Sequence, residues 1–283
     1  MSIGGLSGSA GDSLLQVKDT QFTKRGNVKI TFEDGTKAKI SQEAYLSSYI
    51  YPGKKLSKAE WNKILAIDGQ SSARSYVEGL MNRRMYAPQE VLDKLMKVKK
   101  LDYKTAAILV DKMEREGIID EKGYATELVD ELKNKGYSPE GIRRKLEAKG
   151  IGSQIVAGLA GKIDAGDYSS AIQALAKVIR LHPDDSYKVL EQKIYKQLFG
   201  MGYGPNRIDA ILEQAKLSFP ELTSRDREEK ALLAMATKAY ARLDVMNVDS
   251  ATKTDRLYRF LLSKGFSSGG INELIRKDEF KFK

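Results

Sequence analysis

The sequence predicts a mainly α-helical protein, in which tandem three-helix repeats form an elongated array behind a small N-terminal antiparallel β-sheet. The helices are predicted by a fourfold internal repeat and by apolar residues spaced four apart over most of the chain. The sheet is predicted by Val28, Ile30 and Phe32, which alternate with polar residues before the hairpin signal Asp34-Gly35. A hydrophobic fraction of 41% and a mean hydropathy of −0.43 favour an elongated shape over one compact core.

Composition shifts and linkers predict the boundaries between segments. Residues 1–12 are rich in Gly and Ser, have almost nothing to bury, and are predicted to be a disordered tail. The other predicted segments are a sheet-and-helix module at 13–70, helical repeats at 71–118, 119–166 and 167–220, and a fourth repeat with a basic tail at 221–283.

The N-terminal module needs helices, because three short strands are stable only when they pack on something else. Helices at about 42–49 and 57–67 are predicted to supply that cover. Ser57 and Glu60 form the sequence pattern of a capping box at the start of the second helix. Trp61, the only tryptophan, is predicted to pack into this small core.

The internal repeat is centred on an aromatic residue in a turn between two helices. Apolar residues stand nine and five positions before it and five and nine positions after it, and Pro, or Ser in the fourth copy, stands two positions after it. The copies are unevenly spaced, which indicates helical units with variable linkers. The turn aromatics are Tyr86, Tyr137, Tyr203 and Phe266.

Turn chemistry predicts where these helices begin and end. In the second copy, Gly136 can take the left-handed conformation that ends a helix, Ser138 can cap the next helix, and Pro139 fits its first position. Gly117, Gly150 and Gly265 are predicted to end helices in the same way, as Gly136 does. The predicted helices are 73–84, 88–99, 103–116, 121–135, 139–149, 153–163, 169–181, 185–200, 205–217, 227–243, 251–264 and 269–277.

Charge and cysteine content restrict the class of protein. The net charge is +10, from 48 basic and 38 acidic residues, and it favours an acidic partner such as nucleic acid, an acidic protein groove or an anionic membrane surface. The absence of cysteine excludes disulfides and Cys-based zinc sites, and it suits a reducing cytosol. We expect a cytoplasmic protein, because no signal-peptide pattern or membrane-spanning run is present.

Catalytic motifs are nearly absent from the sequence. His182 is the single histidine, and without cysteine it cannot complete a usual zinc site or a Ser-His or Cys-His nucleophile system. The glycine-rich stretch 200–204 lacks the flanking features of a phosphate-binding loop and is predicted to be a structural turn. The acidic residues between 111 and 121 are predicted to form a solvated helix face and an acidic helix start. The sequence therefore predicts no enzyme, no cofactor and no metal.

Basic residues recur near the repeat turns. Lys133 and Lys135 can be explained by stabilisation of the macrodipole at a helix C-terminus. Arg143 and Arg144 lie in the first half of a helix, where positive charge is slightly unfavourable, and they are the strongest candidates for binding an anionic partner. The full candidate set is Arg83, Arg84, Lys133, Lys135, Arg143, Arg144, Lys149, Arg207, Lys264 and Arg276.

Four segments in a fixed order carry a resemblance to a known family. They are LMNRRMYAPQEV from Leu80, GIIDEKGYATELV from Gly117, KNKGYSPEGIRRKLEAKGI from Lys133 and LLSKGFSSGGI from Leu261. Together they resemble the RecX family, the bacterial regulators of the RecA recombinase, over about 71–277. Two departures are Glu121, where many members carry a second Asp, and Met201, where a basic residue is usual.

The resemblance implies a curved, all-α array of three-helix repeats without catalytic residues. It implies binding to RecA-type recombinase filaments, in the filament groove, and to single- and double-stranded DNA. It further implies control of strand exchange and of the recombinase ATPase, in DNA repair and the SOS response. On this interpretation the ten basic residues contact recombinase or DNA, and the protein acts as a monomer with no membrane partner.

Two alternatives remain compatible with the residues alone. The first is a DNA-binding protein without sequence preference that acts without a recombinase, for which DNA affinity falls steeply with salt. The second is a helical-repeat scaffold for an unrelated acidic protein, which does not bind DNA at physiological salt. Sequence-specific DNA recognition is not favoured, because no copy has a recognition helix rich in Arg, Asn and Gln.

Overall fold

The chain is mainly α-helical with one small N-terminal sheet, as its sequence predicts. It divides into two compact units, of which the first ends at Tyr124 and the second begins at Ala125. The predicted disordered tail and the last six residues of the predicted basic tail lie outside the described residues. The structure is a computed structural model that describes residues 14–24, 26–166, 168–246 and 248–277.

The N-terminal sheet has four strands, one more than the sequence predicts. They are β1 (Leu15–Phe22), β2 (Asn27–Phe32), β3 (Lys37–Ser41) and β4 (Lys55–Leu56), paired antiparallel in the order β3-β2-β1-β4. The alternating apolar residues of β2 are buried, and the predicted hairpin turn joins β2 to β3. The sequence pattern misses β4 because two residues are too few to show an alternation.

Two helices cover the sheet, namely α1 (Gln42–Ser47) and α2 (Lys58–Met81). The predicted capping box is present at the start of α2. The Trp61 ring packs edge-on against Phe32, with ring centroids 5.2 Å apart, so it joins this core as predicted while it stays half-buried.

The prediction of two helices at 57–67 and 73–84 is wrong, because α2 is one continuous helix of 24 residues. Gly69 lies inside it, where glycine costs about 1 kcal/mol relative to alanine. Both halves of α2 are held by packing, since Ile64 is buried in the sheet core and Val77 is buried in the core of the first repeat. Tertiary packing therefore outweighs the local break signal.

The first repeat is completed by α3 (Pro88–Lys99) and α4 (Tyr103–Arg115), which pack with the second half of α2. Val77, Leu95 and Met113 are fully buried at its centre. The residues at the repeat columns thus face the core, as their spacing predicts.

The second unit holds the other repeats. The predicted single helix at 153–163 is wrong, because the helix breaks at Leu159. The helices are α5 (Glu121–Asn134), α6 (Pro139–Ala148), α7 (Ser153–Gly158), α8 (Ala160–Asp164), α9 (Ser169–Leu181), α10 (Tyr187–Gly200), α11 (Pro205–Ser218), α12 (Arg225–Asp244), α13 (Ser250–Ser263) and α14 (Ser268–Ile275), with a 3-10 turn at Pro220–Leu222.

The predicted helix-ending glycines take the left-handed conformation, with φ of +70° at Gly117, +82° at Gly136, +74° at Gly150 and +85° at Gly265.

Among the residues that the structure describes, no helix combines the length and the apolar character that a membrane span needs.

Candidate functional site

The candidate site is built on the turn between α5 and α6. Gly136 ends α5 in the left-handed conformation, and Pro139 is the first residue of α6. The Ser138 side-chain oxygen accepts a hydrogen bond of 2.9 Å from the Gly141 amide, which confirms the predicted cap. The backbone conformation of this turn is therefore favoured by its own residues.

The turn of the third repeat, between α10 and α11, docks directly on this turn. The Ser138 amide donates to the Met201 carbonyl at 3.1 Å, and the Tyr203 hydroxyl donates to the Gly136 carbonyl at 3.0 Å. Burial raises the pKa of Tyr203 to about 12, with a smaller contribution from Tyr168. The phenol therefore keeps its proton near neutral pH and stays a hydrogen-bond donor.

Two glycines make this close approach possible. A Cβ atom on Gly141 would overlap the Met201 carbonyl, and one on Gly202 would lie 2.5 Å from the Gly141 backbone. Gly202 also has a φ of +95°. The prediction that the stretch 200–204 is a structural turn rather than a phosphate-binding loop agrees with this packing.

The end of α8 forms a second wall beside the docked turns. The Lys133 ammonium donates to the Lys162 carbonyl at 2.8 Å and to the Ala165 carbonyl. The Arg143 guanidinium donates to both carboxylate oxygens of Asp164 at 2.7 Å. Lys133 and Arg143 thus tie the loop after α8 to α5 and α6.

These contacts correct two sequence interpretations. The Lys133 ammonium forms hydrogen bonds with two carbonyls at the end of α8, so its role goes beyond stabilising the dipole of its own helix. Arg143, which the sequence leaves without a structural explanation, has one, because it holds Asp164. Asp164 is 21 residues away in sequence, so helix spacing alone could not predict the pair.

The docked turns and the α8 wall enclose a groove of about 1110 Å³, which we call the basic groove. Its size exceeds the usual range of about 300–1,000 Å³ for small-molecule pockets, so it suits a segment of an extended ligand. Four of the ten predicted basic residues line it together with two carboxylates, namely Lys133, Arg143, Arg144 and Arg207 with Glu140 and Asp164.

The four cations differ in how firmly they are held. Lys133 and Arg143 are fixed by the bonds described above. Arg207 is exposed and lies over the Tyr168 ring, 5.7 Å from its centroid. Arg144 is exposed, and its side chain has no hydrogen-bond or ion-pair partner in the described part of the chain. Arg144 and Arg207 are therefore the cations most available to an anionic ligand.

Sequence reasoning missed two aromatic residues of the basic groove. Phe199 lines the groove with 60% of its surface exposed, and Tyr168 lines it half-buried. Phe199 directly follows the buried repeat-column residue Leu198, so a large apolar residue outside the columns was the available signal. Tyr168 lies in the linker before α9, where no periodicity applies.

The remaining predicted residues lie outside the basic groove. Arg84 belongs to the first unit, where its guanidinium stacks 3.7 Å from the Tyr86 ring centroid. Arg83 beside it is exposed. Lys135 is paired with Glu131 one turn earlier on α5. The others follow the last residues of α6, α13 and α14, where positive charge favours the helix dipole, and they are Lys149, Lys264 and Arg276.

The described residues show no arrangement of side chains typical of a metal site or of a histidine base. Over that part of the chain, no group of His, Asp and Glu side chains is arranged to hold a metal ion. The His182 ring nitrogen lies 3.0 Å from the Lys193 ammonium and 3.4 Å from Asp185, so it belongs to a local polar contact. A further cavity of about 520 Å³ between α12 and α14 includes none of the ten predicted residues.

The fold and the basic groove define a helical-repeat protein with a small N-terminal sheet and a cationic, aromatic-lined surface. No protein-family model matches the sequence. The chain is 26% identical over 229 residues to Regulatory protein RecX of Bacillus pumilus (strain SAFR-032), which covers 80% of this chain and 84% of that protein. It is 24% identical over 264 residues to Regulatory protein RecX of Bacillus subtilis (strain 168), which covers 92% of this chain and 97% of that protein.

A solved crystal structure of regulatory protein RecX shares the fold. The two structures superpose with a TM-score of 0.54 and 20% sequence identity, over 71% of this chain and 100% of that chain. The similarity to these relatives agrees with the resemblance that the four sequence segments carry, and the solved structure shows that the fold is shared.

Proposed function

We propose that the protein is a non-catalytic regulator of homologous recombination and DNA repair. It binds RecA-type recombinase filaments on DNA and modulates their ATPase and strand exchange. The observation that carries the proposal is the similarity to proteins named Regulatory protein RecX, which extends over 80% and 92% of this chain. That name describes regulation and no catalysed reaction.

The basic groove supports an anionic partner. Cations outnumber carboxylates among its lining residues, and the whole chain carries a net charge of +10. A recombinase filament on DNA offers phosphates along its length, and these attract such a groove. We assign filament contact first to Arg144 and Arg207, the two exposed cations of the groove.

The repeated architecture favours a polymeric partner. Weak contacts from successive repeats to successive protomers add through effective concentration, so no single interface has to be large. The other predicted residues, including Arg83 and Lys264, are the proposed contacts of the outer repeats. We further propose that the protein acts as a monomer in the cytoplasm and binds single- and double-stranded DNA.

The ATPase of a RecA-type recombinase on single-stranded DNA tests this proposal. Titration with the protein is expected to change the hydrolysis rate at sub-stoichiometric ratios, because one bound molecule affects several protomers of a filament. Bovine serum albumin at the same concentration is the protein control. An unchanged rate at every ratio contradicts the proposed regulation.

A DNA-binding protein that acts without a recombinase is the second candidate, and the exposed Arg144 and the aromatic lining of the groove favour it. It predicts that the protein affects the ATPase only by removing DNA from the recombinase. A large excess of DNA then abolishes the effect. An effect that persists at excess DNA supports the filament-binding proposal.

A further inference from the structure

We infer that the basic groove holds an unpaired nucleotide of single-stranded nucleic acid, with the Phe199 ring as the surface on which its base stacks. This inference rests on the proposed function and deepens it by naming the chemical class of ligand that the groove takes. Its new element is an aromatic subsite formed by Phe199, beside the basic residues of the groove.

Phe199 does not belong to the buried face of α10. Leu190, Ile194 and Leu198 form the buried face of that helix, and each is at most 1% exposed. Phe199 turns away from this face and leaves 60% of its surface exposed beside the groove. Aromatic residues and arginine are enriched at binding interfaces, and Phe199 lines the same groove as the exposed Arg144 and Arg207.

The cations beside this ring fit a phosphate. Arg144 and Arg207 line the same groove as Phe199, and both side chains are exposed. Arg143 is paired with Asp164 and Lys133 is bonded to a backbone carbonyl, so Arg144 and Arg207 carry the positive charge that a ligand can reach. A nucleotide uses both features at once, because its phosphate pairs with arginine and its base offers a flat face to an aromatic ring.

The aromatic ring distinguishes unpaired from paired nucleic acid. In a duplex the base faces are stacked on one another and only their edges are accessible. In a single strand the faces are free, and stacking on an aromatic side chain tolerates any base. Single-stranded nucleic acid is therefore favoured over duplex and over an acidic peptide, which has charge but no base.

Binding of a labelled oligothymidine and of a duplex of equal length, at one fixed salt concentration, tests the inference. Phe199→Ala is expected to weaken single-strand binding by roughly 5- to 100-fold and to change duplex binding less than about twofold. Phe199→Leu is expected to behave like Phe199→Ala, because it keeps apolar volume but loses the ring. Phe199→Trp is expected to retain affinity, and its added fluorescence is expected to be quenched by the oligonucleotide.

Three controls make the comparison specific. Tyr103→Ala removes an aromatic residue that is 65% exposed outside the groove and is expected to leave binding unchanged. An abasic oligomer, with phosphates but no bases, is expected to bind Phe199→Ala and the unmutated protein equally. Circular dichroism of each variant is expected to match that of the unmutated protein.

Three results would overturn the inference. They are equal loss of single-strand and duplex binding in Phe199→Ala, full single-strand binding in Phe199→Ala, and weaker binding of that variant to the abasic oligomer. Each leaves the proposed function standing if the protein still changes the recombinase ATPase. If Phe199→Ala loses that effect while its DNA binding is unchanged, the groove holds a recombinase segment and not a nucleotide.

Discussion

Arg143 and Arg144 are neighbours in sequence, but the structure gives them different surroundings. The Arg143 side chain is 36% exposed and holds Asp164 through both carboxylate oxygens. Arg144 is exposed at the edge of the basic groove and makes no such bond in the described part of the chain. One arginine thus serves the fold and the other is available to a ligand.

Replacing each arginine by glutamine separates these two roles. Arg143→Gln is expected to lower the free energy of unfolding by roughly 0.5–1 kcal/mol, because the lost ion pair is half-exposed. Arg144→Gln is expected to change the free energy of unfolding by less than about 0.5 kcal/mol. It is expected to weaken oligothymidine binding and to reduce the slope of log affinity against log salt concentration by about one. Urea unfolding and binding at several salt concentrations measure these effects.

Arg242→Gln is the matched control for this pair. Arg242 is exposed in the last turn of α12 and lies outside the basic groove, so both stability and binding are expected to stay unchanged. Equal binding losses in Arg144→Gln and Arg242→Gln would show that only net charge matters and would contradict a localised site.

Single residues with local roles could be predicted from the sequence, and those with distant partners could not. Gly136 and Ser138 were predicted because turn and cap chemistry depends on adjacent residues. Gly141 and Gly202 were not given a packing role, since the contact between their turns depends on which repeats dock. The exposure of Phe199 also depends on tertiary packing.

At the scale of elements, the same contact joins two pairs of neighbouring segments. Gly202 rests against the cap residue Ser138, and Gly265 rests against the cap residue Ser186. The Ser186 hydroxyl donates to the Lys264 carbonyl at 2.6 Å while its oxygen accepts from the α10 backbone. A buried cap serine thus meets a turn glycine of a later repeat in both places, and no side chain larger than hydrogen fits there.

The Tyr203 hydroxyl joins the docked turns of the second and third repeats, so it is expected to contribute to the free energy of unfolding. Tyr203→Phe is expected to lower the free energy of unfolding by about 1–3 kcal/mol near neutral pH, because the Gly136 carbonyl loses its donor in a buried place. Urea unfolding of both proteins at pH 8 and at higher pH values measures the difference.

The pH dependence of this difference has a definite sign. The pKa of Tyr203 is about 12 in the folded protein, against an ordinary value of 10.0, so the folded state keeps the proton after the unfolded state loses it. Stability that is complete below about pH 10 is therefore lost as the pH rises toward 12. The advantage of the unmutated protein over Tyr203→Phe is expected to shrink in this range, and a constant or growing advantage would contradict the assignment.

Helix existence was predicted more reliably than helix boundaries. Cap residues and helix-ending glycines placed most helix ends close to the observed ones. The predicted break inside α2 does not occur, because its two halves are anchored in two cores. The break at Leu159 was not predicted.

At the scale of the whole molecule, the predicted basic residues do not act as one set. The repeat pattern treats its four copies alike, yet the basic groove is made by the second and third copies. Arg83 and Arg84 belong to the first unit, and three others follow the ends of helices. Repeat phase could predict which residues lie near turns, but it could not predict which turns dock.

Co-sedimentation with RecA-type recombinase filaments on single-stranded DNA tests most directly whether the basic groove binds the filament. The unmutated protein is expected to pellet with filaments in a saturable way, and Arg242→Glu is expected to behave alike. Arg144→Glu is expected to need at least about tenfold more protein for the same binding, a difference of about 1.4 kcal/mol. Failure of the unmutated protein to pellet, or equal binding of Arg144→Glu, would contradict the account.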